Sequence, residues 1–369
     1  MLIAALFLAA CASGSAAGPS GRQPPAGGGI TTKISGKSTQ GRLVLAGYLP
    51  ISNSAAVSLG VAHQHRQLAE ISPVLYTVDP SGAVTPTTKP DRVVEQARRW
   101  QMSILPLIQN LRGGDWDATT ITALLNDRQR RAHHIQAIMD MVQDQDWNGV
   151  DIDYEQLDAA DSGTYMTFLR LLATELHHRH KLLAVAVPAK TGESADDPQS
   201  QAYRYEQIAS VADEIRVMAY DHAWEESPPG SVAPRPWVQQ VLNYAVRSVP
   251  PNKLMLGIAA YGYDWADGRG SPIGATSAAA LAAQHRATVS WDETSASAWF
   301  RYTSEGTRHT VWFENAHAMA SKVTTRQRGR RTRRHDLETR RRGSRLLDVG
   351  NHQVSLDLRN VRRDVALYE

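Results

Sequence analysis

The chain has 369 residues, of which 42% are hydrophobic and 21% are charged, so it can bury a substantial core in one large domain or two ordinary ones. This composition excludes a chain that is disordered throughout. The net charge is only +3, but arginines crowd into the segment after Val323, which needs its own explanation. The chain has a single cysteine, so it has no intramolecular disulfide.

The N-terminal segment begins MLIAALFLAACASGS, with an apolar run that is too short to span a bilayer and is typical of a signal peptide. Residues Leu8 to Cys11 resemble the lipobox of bacterial lipoproteins, in which the cysteine is lipidated and becomes the new N-terminus. We therefore expect residues 1–11 to be a lipoprotein signal peptide and the protein to be exported, as a membrane-anchored lipoprotein or a secreted protein. Residues 12–41 are rich in Gly, Ser, Pro and Ala and predict a flexible linker.

From residue 42 onwards, short apolar runs alternate with amphipathic helical patterns. Strands are predicted over 42–48, 71–78, 103–108, 147–155, 182–188, 213–220 and 253–261. Helices are predicted over 91–101, 127–145, 161–180, 203–211 and 237–249. Repeated strand–helix units with apolar strands indicate an α/β protein whose parallel sheet is covered by helices. The number of units fits a (β/α)8 TIM barrel better than an open sheet.

The segment after the seventh predicted strand has a different sequence pattern. Residues 262–311 contain a short Ala-rich helix over 277–285, followed by alternating aromatic residues such as Trp299. This pattern predicts a small α+β insertion beside the barrel opening. The last barrel helix is predicted over 312–322, so the folded domain is expected to cover residues 42–323.

The stretch Trp147 to Glu155, WNGVDIDYE, carries three acids at alternate positions. Side chains of an extended strand alternate between its two faces, so Asp151, Asp153 and Glu155 fall on one side. Carboxylates about 7 Å apart along a strand raise one another's pKa. A partly buried last member could then stay protonated near neutral pH and act as a general acid. The alternative is an edge strand with a solvated acidic face, but the apolar residues between the acids indicate a central strand.

In a TIM barrel the functional groups lie at the C-terminal ends of the strands and converge on one opening. The polar residues at these strand ends are Glu155, Tyr220, Asp221 and Asp264. The motifs around them resemble glycoside hydrolase family 18: NGVDIDYE its DGxDxDxE signature, MAYD over 218–221 its sixth-strand motif, and LGIAAYGYDW its seventh strand. Together with VWFEN and the following SK, the resemblance narrows to the spore-germination, cortex-lytic branch, which acts on N-acetylglucosaminyl bonds. It covers residues 42–323.

The resemblance implies substrate-assisted hydrolysis with retention of configuration. Glu155 would protonate the glycosidic oxygen, and the substrate's own 2-acetamido oxygen would attack the anomeric carbon. Asp153 would hold the acetamido N–H, with Asp151 behind it sharing a proton. Tyr220 would donate its hydroxyl to the acetamido carbonyl, and Asp221 would orient the sugar or adjust Glu155. The substrate must then carry an N-acetyl group, as peptidoglycan, cortex and chitin fragments do, and no cofactor is required.

Aromatic residues near the predicted opening could stack on sugar faces, because axial C–H groups pack well against π surfaces. The candidates for substrate binding, each of which could instead be a core residue, are Tyr48, Trp224, Tyr261, Tyr263 and Trp265, with Asp264 among them. The first Asp of the family motif is replaced by Asn148. We expect little effect from this change, because the position is farthest from the bond that is cleaved.

The histidines do not predict a metal site. His177, His178 and His180 lie near a predicted helix C-terminus, where the helix dipole favours cations, and they lack the i, i+4 spacing of a two-histidine site. The same prediction of solvated surface is made for His63, His65, His133 and His134.

Residues 324–345, TTRQRGRRTRRHDLETRRRGSR, fall where the eighth strand belongs. As written, they are a basic segment of a kind that binds nucleic acid, anionic wall polymer or lipid headgroups. The family instead has a segment ending in something like GVxxWxLGxED, whose Trp forms the floor beneath the sugar. One permitted set of codons for Asp336–Arg345, read one base later, gives TWRLGGEDP. We therefore hypothesise a frameshift between about Glu314 and Thr325, in the gene or in its reported sequence.

The chain as written would lack the eighth strand and leave the first and seventh strands with open edges, so we expect poor folding and weak activity. The leading hypothesis is a monomeric hydrolase that binds an N-acetylated glycan polymer. An alternative is a glycan-binding barrel without turnover, since function depends on the site and not on the fold. A third hypothesis, a nucleic-acid binder, rests only on the basic tail and conflicts with export, so no nucleic-acid partner is expected.

The frameshift hypothesis makes a prediction about the DNA. The codons for Leu337 and Glu338 should contain TGG one base out of register, because the shifted frame must encode the missing tryptophan. Sequencing the gene over residues 314–345 tests this. A codon pair that cannot yield tryptophan would contradict the hypothesis, and the arginine-rich tail would then be native.

Overall fold

The structure is a computed structural model of the chain, and it describes residues 3–8, 28–34, 43–49, 68–88, 92–192, 201–323, 345–349 and 352–356. Cys11 and residues 324–344 lie outside these ranges, so the lipid anchor on Cys11 and the frameshift hypothesis stay predictions. Within the described ranges, no helix is both long enough and apolar enough to cross a bilayer.

The centre of the fold is a sheet of parallel strands. In chain order, the strands before the insertion are β1 (Ile3–Leu8), β2 (Gly28–Ile34), β3 (Leu43–Leu49), β4 (Leu68–Val78), β5 (Val84–Pro86), β6 (Ser103–Ile104), β7 (Leu107–Gln109), β8 (Leu111–Arg112), β9 (Asp115–Trp116), β10 (Gly149–Asp153), β11 (Leu182–Pro188), β12 (Glu214–Met218) and β13 (Leu254–Leu256). Parallel pairing runs from β3 through β4, β7, β10, β11 and β12 to β13. This arrangement confirms the predicted α/β barrel. The acidic strand β10 is fully buried between β7 and β11, so its interpretation as a central strand is also confirmed.

The place of an eighth parallel strand, between β13 and β3, is occupied by the N-terminal strands. β1 pairs in parallel with β13, and β2 pairs antiparallel with both β1 and β3. No described strand after β13 joins this sheet. The edges that the sequence predicts to be open are therefore covered, and residues 28–34 of the predicted linker form a strand. Cleavage before Cys11, as the export hypothesis requires, would remove β1 and expose the edge of β13.

Helices connect and cover the parallel strands. In chain order they are α1 (Arg92–Arg99), α2 (Ala118–Asn126), α3 (Arg128–Asp144), α4 (Ser162–His178), α5 (Tyr205–Val211), α6 (Arg235–Ser248), α7 (Ala275–Gln284) and α8 (Ala316–Val323). α3 begins after Asp127, whose side chain accepts hydrogen bonds from the backbone N–H groups of Gln129 and Arg130 at 2.8 and 2.9 Å. Apolar residues three or four positions apart then give α3 one buried face.

His134 of α3 differs from its predicted solvated state. Its side chain is fully buried and lies 2.6 Å from the hydroxyl of Tyr154 and 2.7 Å from the carbonyl oxygen of Gly82. Its ring also stacks on Phe168. Burial lowers the pKa of His134 to about 4, so this histidine is a neutral core residue that supports the outer face of the acidic strand.

The residues after β13 form the predicted α+β insertion. Its strands are β14 (Tyr261–Ala266), β15 (Arg269–Gly274), β16 (Ser290–Asp292), β17 (Ser297–Ser304) and β18 (Thr307–Phe313), which form an antiparallel sheet in the order β15–β14–β18–β17–β16. α7 packs on one face, where Ala278 and Ala282 join Phe300 and Val311 in an apolar cluster.

The prediction of a helix over 312–322 was wrong at its start, because the strand pairing of β18 extends to Phe313. A separate hairpin is formed by β19 (Arg345–Val349) and β20 (His352–Leu356).

A buried ion pair between Glu314 and Lys322 fastens α8 to the insertion. Both side chains are inaccessible to solvent. Glu314 also accepts hydrogen bonds from Ser297 at 2.7 Å and Ser231 at 3.3 Å, and Lys322 donates to the carbonyl oxygen of Ala296 at 3.1 Å. Burial lowers the pKa of Lys322, and the charge of Glu314 opposes that effect. The helix that leads into the basic tail is therefore held by a charge pair within the folded domain.

Replacing Lys322 with methionine should lower the free energy of unfolding by about 3–5 kcal/mol, because it leaves the Glu314 carboxyl group buried without its cation. Urea denaturation of the full chain measures this loss. The double variant Lys322→Met/Glu314→Leu should recover most of it, since both buried charges are then gone. Unchanged stability of the single variant would contradict the buried pair.

Candidate active site

β10 lies so close to β11 that its first position requires glycine. A Cβ on Gly149 would lie 2.1 Å from the carbonyl oxygen of Leu182, so any other residue would force the two strands apart. The preceding Asn148 accepts a hydrogen bond from the backbone N–H of Ile104 at 2.8 Å through its side-chain oxygen. A carboxylate oxygen could accept the same bond, which explains why asparagine fits at the first position of the acidic motif.

Asp151 is anchored by a buried arginine. Nη1 of Arg216 lies 2.6 Å from Oδ2 of Asp151, and both side chains are almost completely buried. The same guanidinium contacts the carboxylates of Glu70 and Glu214 and the hydroxyl of Ser72. Burial raises the pKa of Asp151, and the charge of Arg216 opposes that effect. In the interior of the barrel, one cation therefore faces three carboxyl groups.

Asp153 is bound by an amide instead of a cation. Nε2 of Gln109, at the end of β7, donates a hydrogen bond of 2.9 Å to Oδ2 of Asp153. Oδ1 of Asp153 has no hydrogen-bond partner among the described residues. Burial raises the pKa of Asp153 to about 7, with the hydrogen bond from Gln109 acting against the rise and the charge of Asp151 adding to it. Asp153 can therefore exist with or without its proton near neutral pH.

Glu155 lies two residues beyond the end of β10 and is half-buried. Asn110 fixes its backbone, because the asparagine side-chain oxygen accepts from the Glu155 N–H at 2.8 Å and its NH2 group donates to the Glu155 carbonyl at 3.0 Å. Burial raises the pKa of Glu155 well above its usual value, and the charges of Asp153 and Asp221 raise it further. The residue can thus hold a proton at neutral pH while it stays partly exposed to solvent.

Tyr220 follows the end of β12 and is half-buried. A Cβ on Gly257 would lie 2.8 Å from Cε1 of Tyr220, so glycine at this position leaves room for the ring. The ring contacts Tyr261 edge-on, with the centroids 6.3 Å apart. Burial raises the pKa of the Tyr220 hydroxyl, and nearby charges that include Asp153 and Glu155 raise it further. Its hydroxyl therefore remains a hydrogen-bond donor across the physiological range.

Asp221 has a left-handed backbone conformation, with φ of +56°, which is uncommon for a residue other than glycine. Its Oδ1 accepts hydrogen bonds from the hydroxyl groups of Tyr261 at 2.5 Å and Tyr263 at 3.3 Å. Burial raises the pKa of Asp221 to about 6, and the two hydroxyl groups oppose the rise. The charge of Asp221 in turn raises the pKa of Glu155.

The predicted stacking residues differ in their access to solvent. Tyr261, Tyr263 and Trp265 occupy alternate positions of β14 and are buried. Nε1 of Trp265 donates a hydrogen bond of 3.2 Å to the carbonyl oxygen of Trp224. Trp224 itself is 41% exposed, so among these four side chains it has the surface that a sugar ring could cover.

Of two further predicted substrate-binding residues, Tyr48 lies beside the acidic strand, where it hydrogen-bonds Asp151, and Asp264 lies elsewhere. Tyr48 is buried in the barrel interior, where its ring lies 5.5 Å from the guanidinium carbon of Arg216. Asp264 lies on the face of β14 opposite the tyrosines. It accepts hydrogen bonds from the Tyr302 hydroxyl at 2.5 Å and from Nδ1 of His309 at 2.9 Å. Asp264 therefore belongs to the insertion sheet, and its contacts do not join it to Glu155 as the sequence analysis expected.

Three residues of the site were missed in the sequence analysis. Gln109 and Asn110 directly follow the apolar run SILPLI, and polar residues at the end of a barrel strand are a usable signal. Arg216 interrupts the apolar strand EIRVM, and a charge at such a position requires a buried partner. No group of three or more His, Cys, Asp or Glu side chains in the described ranges has an arrangement that could hold a metal ion.

Comparison with known proteins agrees with this geometry. The Bacillus subtilis (strain 168) protein named "Putative sporulation-specific glycosylase YdhD" is 31% identical over 263 residues, which span 69% of this chain and 62% of YdhD. The solved structure of the Bacillus cereus spore cortex-lytic enzyme SleL superposes with a TM-score of 0.67 at 25% identity, covering 74% of this chain and 64% of SleL. The chain thus spans less than two thirds of the length of either protein.

A chitinase from Chromobacterium violaceum ATCC 12472 has the same fold, with a TM-score of 0.66 and 28% identity over 73% of this chain and 86% of the chitinase. The sequence profile of glycosyl hydrolases family 18 matches residues 102–329. These residues hold the acidic strand, its Gln109 and Arg216 partners and most of the barrel. With more than half of its length matched in this way, the chain belongs to glycosyl hydrolases family 18.

Proposed function

We propose that the chain hydrolyses N-acetylglucosaminyl bonds in cell-wall glycan, of the peptidoglycan, cortex or chitin-like type, by a substrate-assisted retaining mechanism. The observation that carries this proposal is the environment of Asp153. Gln109 binds one of its buried oxygens, and the other has no partner among the described residues. A buried carboxylate oxygen without a partner is costly, and the N–H of a substrate acetamido group would supply the missing hydrogen bond.

The proposed reaction begins with proton transfer from Glu155 to the glycosidic oxygen. As the bond from that oxygen to the anomeric carbon breaks, the acetamido oxygen forms a new bond to the same carbon from the opposite side. Asp153 orients the acetamido group through its N–H and balances the positive charge of the oxazolinium ion. Tyr220 donates its hydroxyl to the acetamido carbonyl. Water then opens the ion, and the Glu155 carboxylate accepts the proton of that water, which restores the acid and retains the configuration.

The names of similar proteins support the coarse part of this proposal. YdhD and SleL are named for sporulation and for the spore cortex, and the Chromobacterium protein is named a chitinase. Wall glycan lies outside the cytoplasm, so the proposal also requires the export predicted for residues 1–11. A lipid anchor on Cys11 would keep the protein at the membrane, near its polymeric substrate.

Glycan binding without turnover is the second candidate. The observation that favours it is the barrel closure, because no described segment after β13 supplies the eighth parallel strand. The carboxyl groups of β10 are present, but the predicted floor beneath the sugar belongs to residues outside the described ranges. A protein of this kind would bind N-acetylated glycan and leave it intact.

The variant Glu155→Gln should lose hydrolysis by a factor of about 10²–10⁴, because an amide cannot transfer the proton. The measurement is release of reducing ends from purified peptidoglycan by the full chain. Glu95→Gln, on the exposed side of α1, is the matched control and should keep full activity. Chemically de-N-acetylated peptidoglycan should not be cleaved, since it lacks the internal nucleophile. Glycan binding without reducing ends from the unmodified chain would favour the second candidate.

The variant Gln109→Leu should raise the pKa of Asp153 above about 7, because the lost hydrogen bond stabilises the charged carboxylate. A rise of about one pH unit is expected for one hydrogen bond to a charged group. Carbon-13 NMR titration of protein labelled at aspartate carboxyl groups measures it. Gln136→Leu, on the exposed side of α3, removes a hydrogen bond to Asp140 and should leave the titration of Asp153 unchanged. A pKa that stays the same or falls in Gln109→Leu would show that the amide does not stabilise the carboxylate.

A further inference from the structure

A row of aromatic side chains leads away from the active site along one face of the insertion sheet. Tyr263 of β14 donates a hydrogen bond to Asp221 at the barrel opening. Trp312 of β18 lies directly opposite Tyr263, and Trp299 of β17 lies directly opposite Trp312. Directly opposed residues of antiparallel strands project from the same face, so the three rings share one surface that begins at Asp221.

The two tryptophans of this row form a half-exposed pair. Their ring centroids are 5.7 Å apart and their planes differ by 20°. Neighbouring strands are separated by about 4.8 Å, so Trp299 lies roughly 10 Å across the sheet from Tyr263. The tryptophan pair is thus placed beyond the groups that contact the reacting sugar, where the next part of a polymer would lie.

Two arginines continue the same face. Arg301 lies two positions along β17 from Trp299, and its guanidinium carbon is 5.1 Å from the centroid of that ring. Arg308 of β18 is opposite Thr303, and so projects from the same face as Arg301. Both arginines are exposed, and neither forms an ion pair with a described carboxylate; Glu305, in the turn between the two strands, pairs with neither.

We infer that Trp299, Trp312 and Arg301 form a glycan-binding surface beyond the cleavage site, and that this surface recognises a glycan whose sugars carry carboxylate groups. This inference rests on the proposed function and specifies its substrate class. The apolar face of a pyranose ring packs on an indole, and a guanidinium held on the indole face presents a planar fork of donors to a carboxylate.

Charge complementarity distinguishes the possible polymers. Chitin is uncharged, so it could use the tryptophan pair but would leave Arg301 without a partner. Peptidoglycan alternates N-acetylglucosamine with N-acetylmuramic acid, whose lactyl carboxyl group is an amide where a stem peptide is attached and a free carboxylate where the stem peptide is absent. Arg301 can bind such a carboxylate while the neighbouring ring packs on Trp299, and Arg308 adds a positive charge on the same side.

The test compares two probes of equal length in the Glu155→Gln chain, which does not cleave them. One is a tetrasaccharide of alternating N-acetylglucosamine and N-acetylmuramic acid, and the other is chitotetraose. Titration calorimetry of the full chain measures both dissociation constants. Arg301→Gln should weaken binding of the acidic probe about three- to five-fold and leave chitotetraose unchanged. Added salt should reduce the preference for the acidic probe, since the guanidinium is exposed.

Trp299→Leu should weaken both probes about ten-fold, because it removes the π surface and keeps an apolar side chain. Trp299→Phe keeps a ring and should retain most of the affinity, which separates stacking from a folding defect. Arg170→Gln, on the exposed side of α4, is the charge-matched control and should change neither constant.

Equal effects of Arg301→Gln on the two probes, no effect on either, or no binding of either probe would overturn the inference. A different result would contradict the proposed function: no release of reducing ends when the unmodified chain, with Glu155 intact, is incubated with peptidoglycan. A chain that binds the acidic probe through Arg301 but releases no reducing ends would be a glycan-binding barrel with the same specificity.

Discussion

Three carboxyl groups meet the guanidinium of Arg216 inside the barrel, and the acidic strand depends on this contact. Burying a single carboxylate without compensation would cost several kcal/mol, and the adjacent Arg216 compensates the charged form of Asp151 in its solvent-free position. Because Asp153 lies two residues further along the same face of β10, the charge state of Asp151 acts on it directly. Arg216 therefore influences the reacting groups without touching them.

The partners of the three acids change in kind along β10 and the two residues that follow it. Asp151 has a cation, Asp153 has the amide of Gln109, and the backbone of Glu155 is bound by Asn110. Each step towards the opening replaces a stronger stabilisation of negative charge by a weaker one. The result is a row of three acids. The innermost is paired with a cation, the middle one has a pKa near neutral pH, and the outermost favours its protonated form.

Local pattern was enough to predict the parallel strands from β3 to β13, because buried parallel strands are short apolar runs, but it did not predict β1 or β2. The predicted strand over 182–188 agrees with β11 residue for residue, and the central position of β10 followed from the apolar residues between its acids. The errors involve tertiary contacts. His134 is polar in sequence but lies against Tyr154 and Phe168, and the helix predicted from 312 begins later because strand pairing holds Phe313. Side chains alternate between the two faces of β14, so Asp264 and its tyrosine neighbours could have been assigned to opposite faces from sequence. That assignment would have required a strand predicted to start at Tyr261.

Arg216 illustrates what sequence patterns leave open. A charge inside an apolar strand signals a buried partner, yet the partners Glu70 and Ser72 are far away in the chain and only the fold brings them together. Barrel closure likewise depends on pairing between segments that are far apart in the chain. Hydrogen bonding between strands uses backbone groups that every residue except proline supplies, so the apolar run IAALFL of β1 can pair with β13 although it is not the expected eighth strand. The floor beneath the sugar is different, because it needs a particular side chain. β1 contains no tryptophan, so it can satisfy the edge of β13 without replacing that floor. Closure of the sheet and completion of the sugar site are therefore separate requirements, and while residues 3–8 are retained the described strands meet the first through the backbone alone.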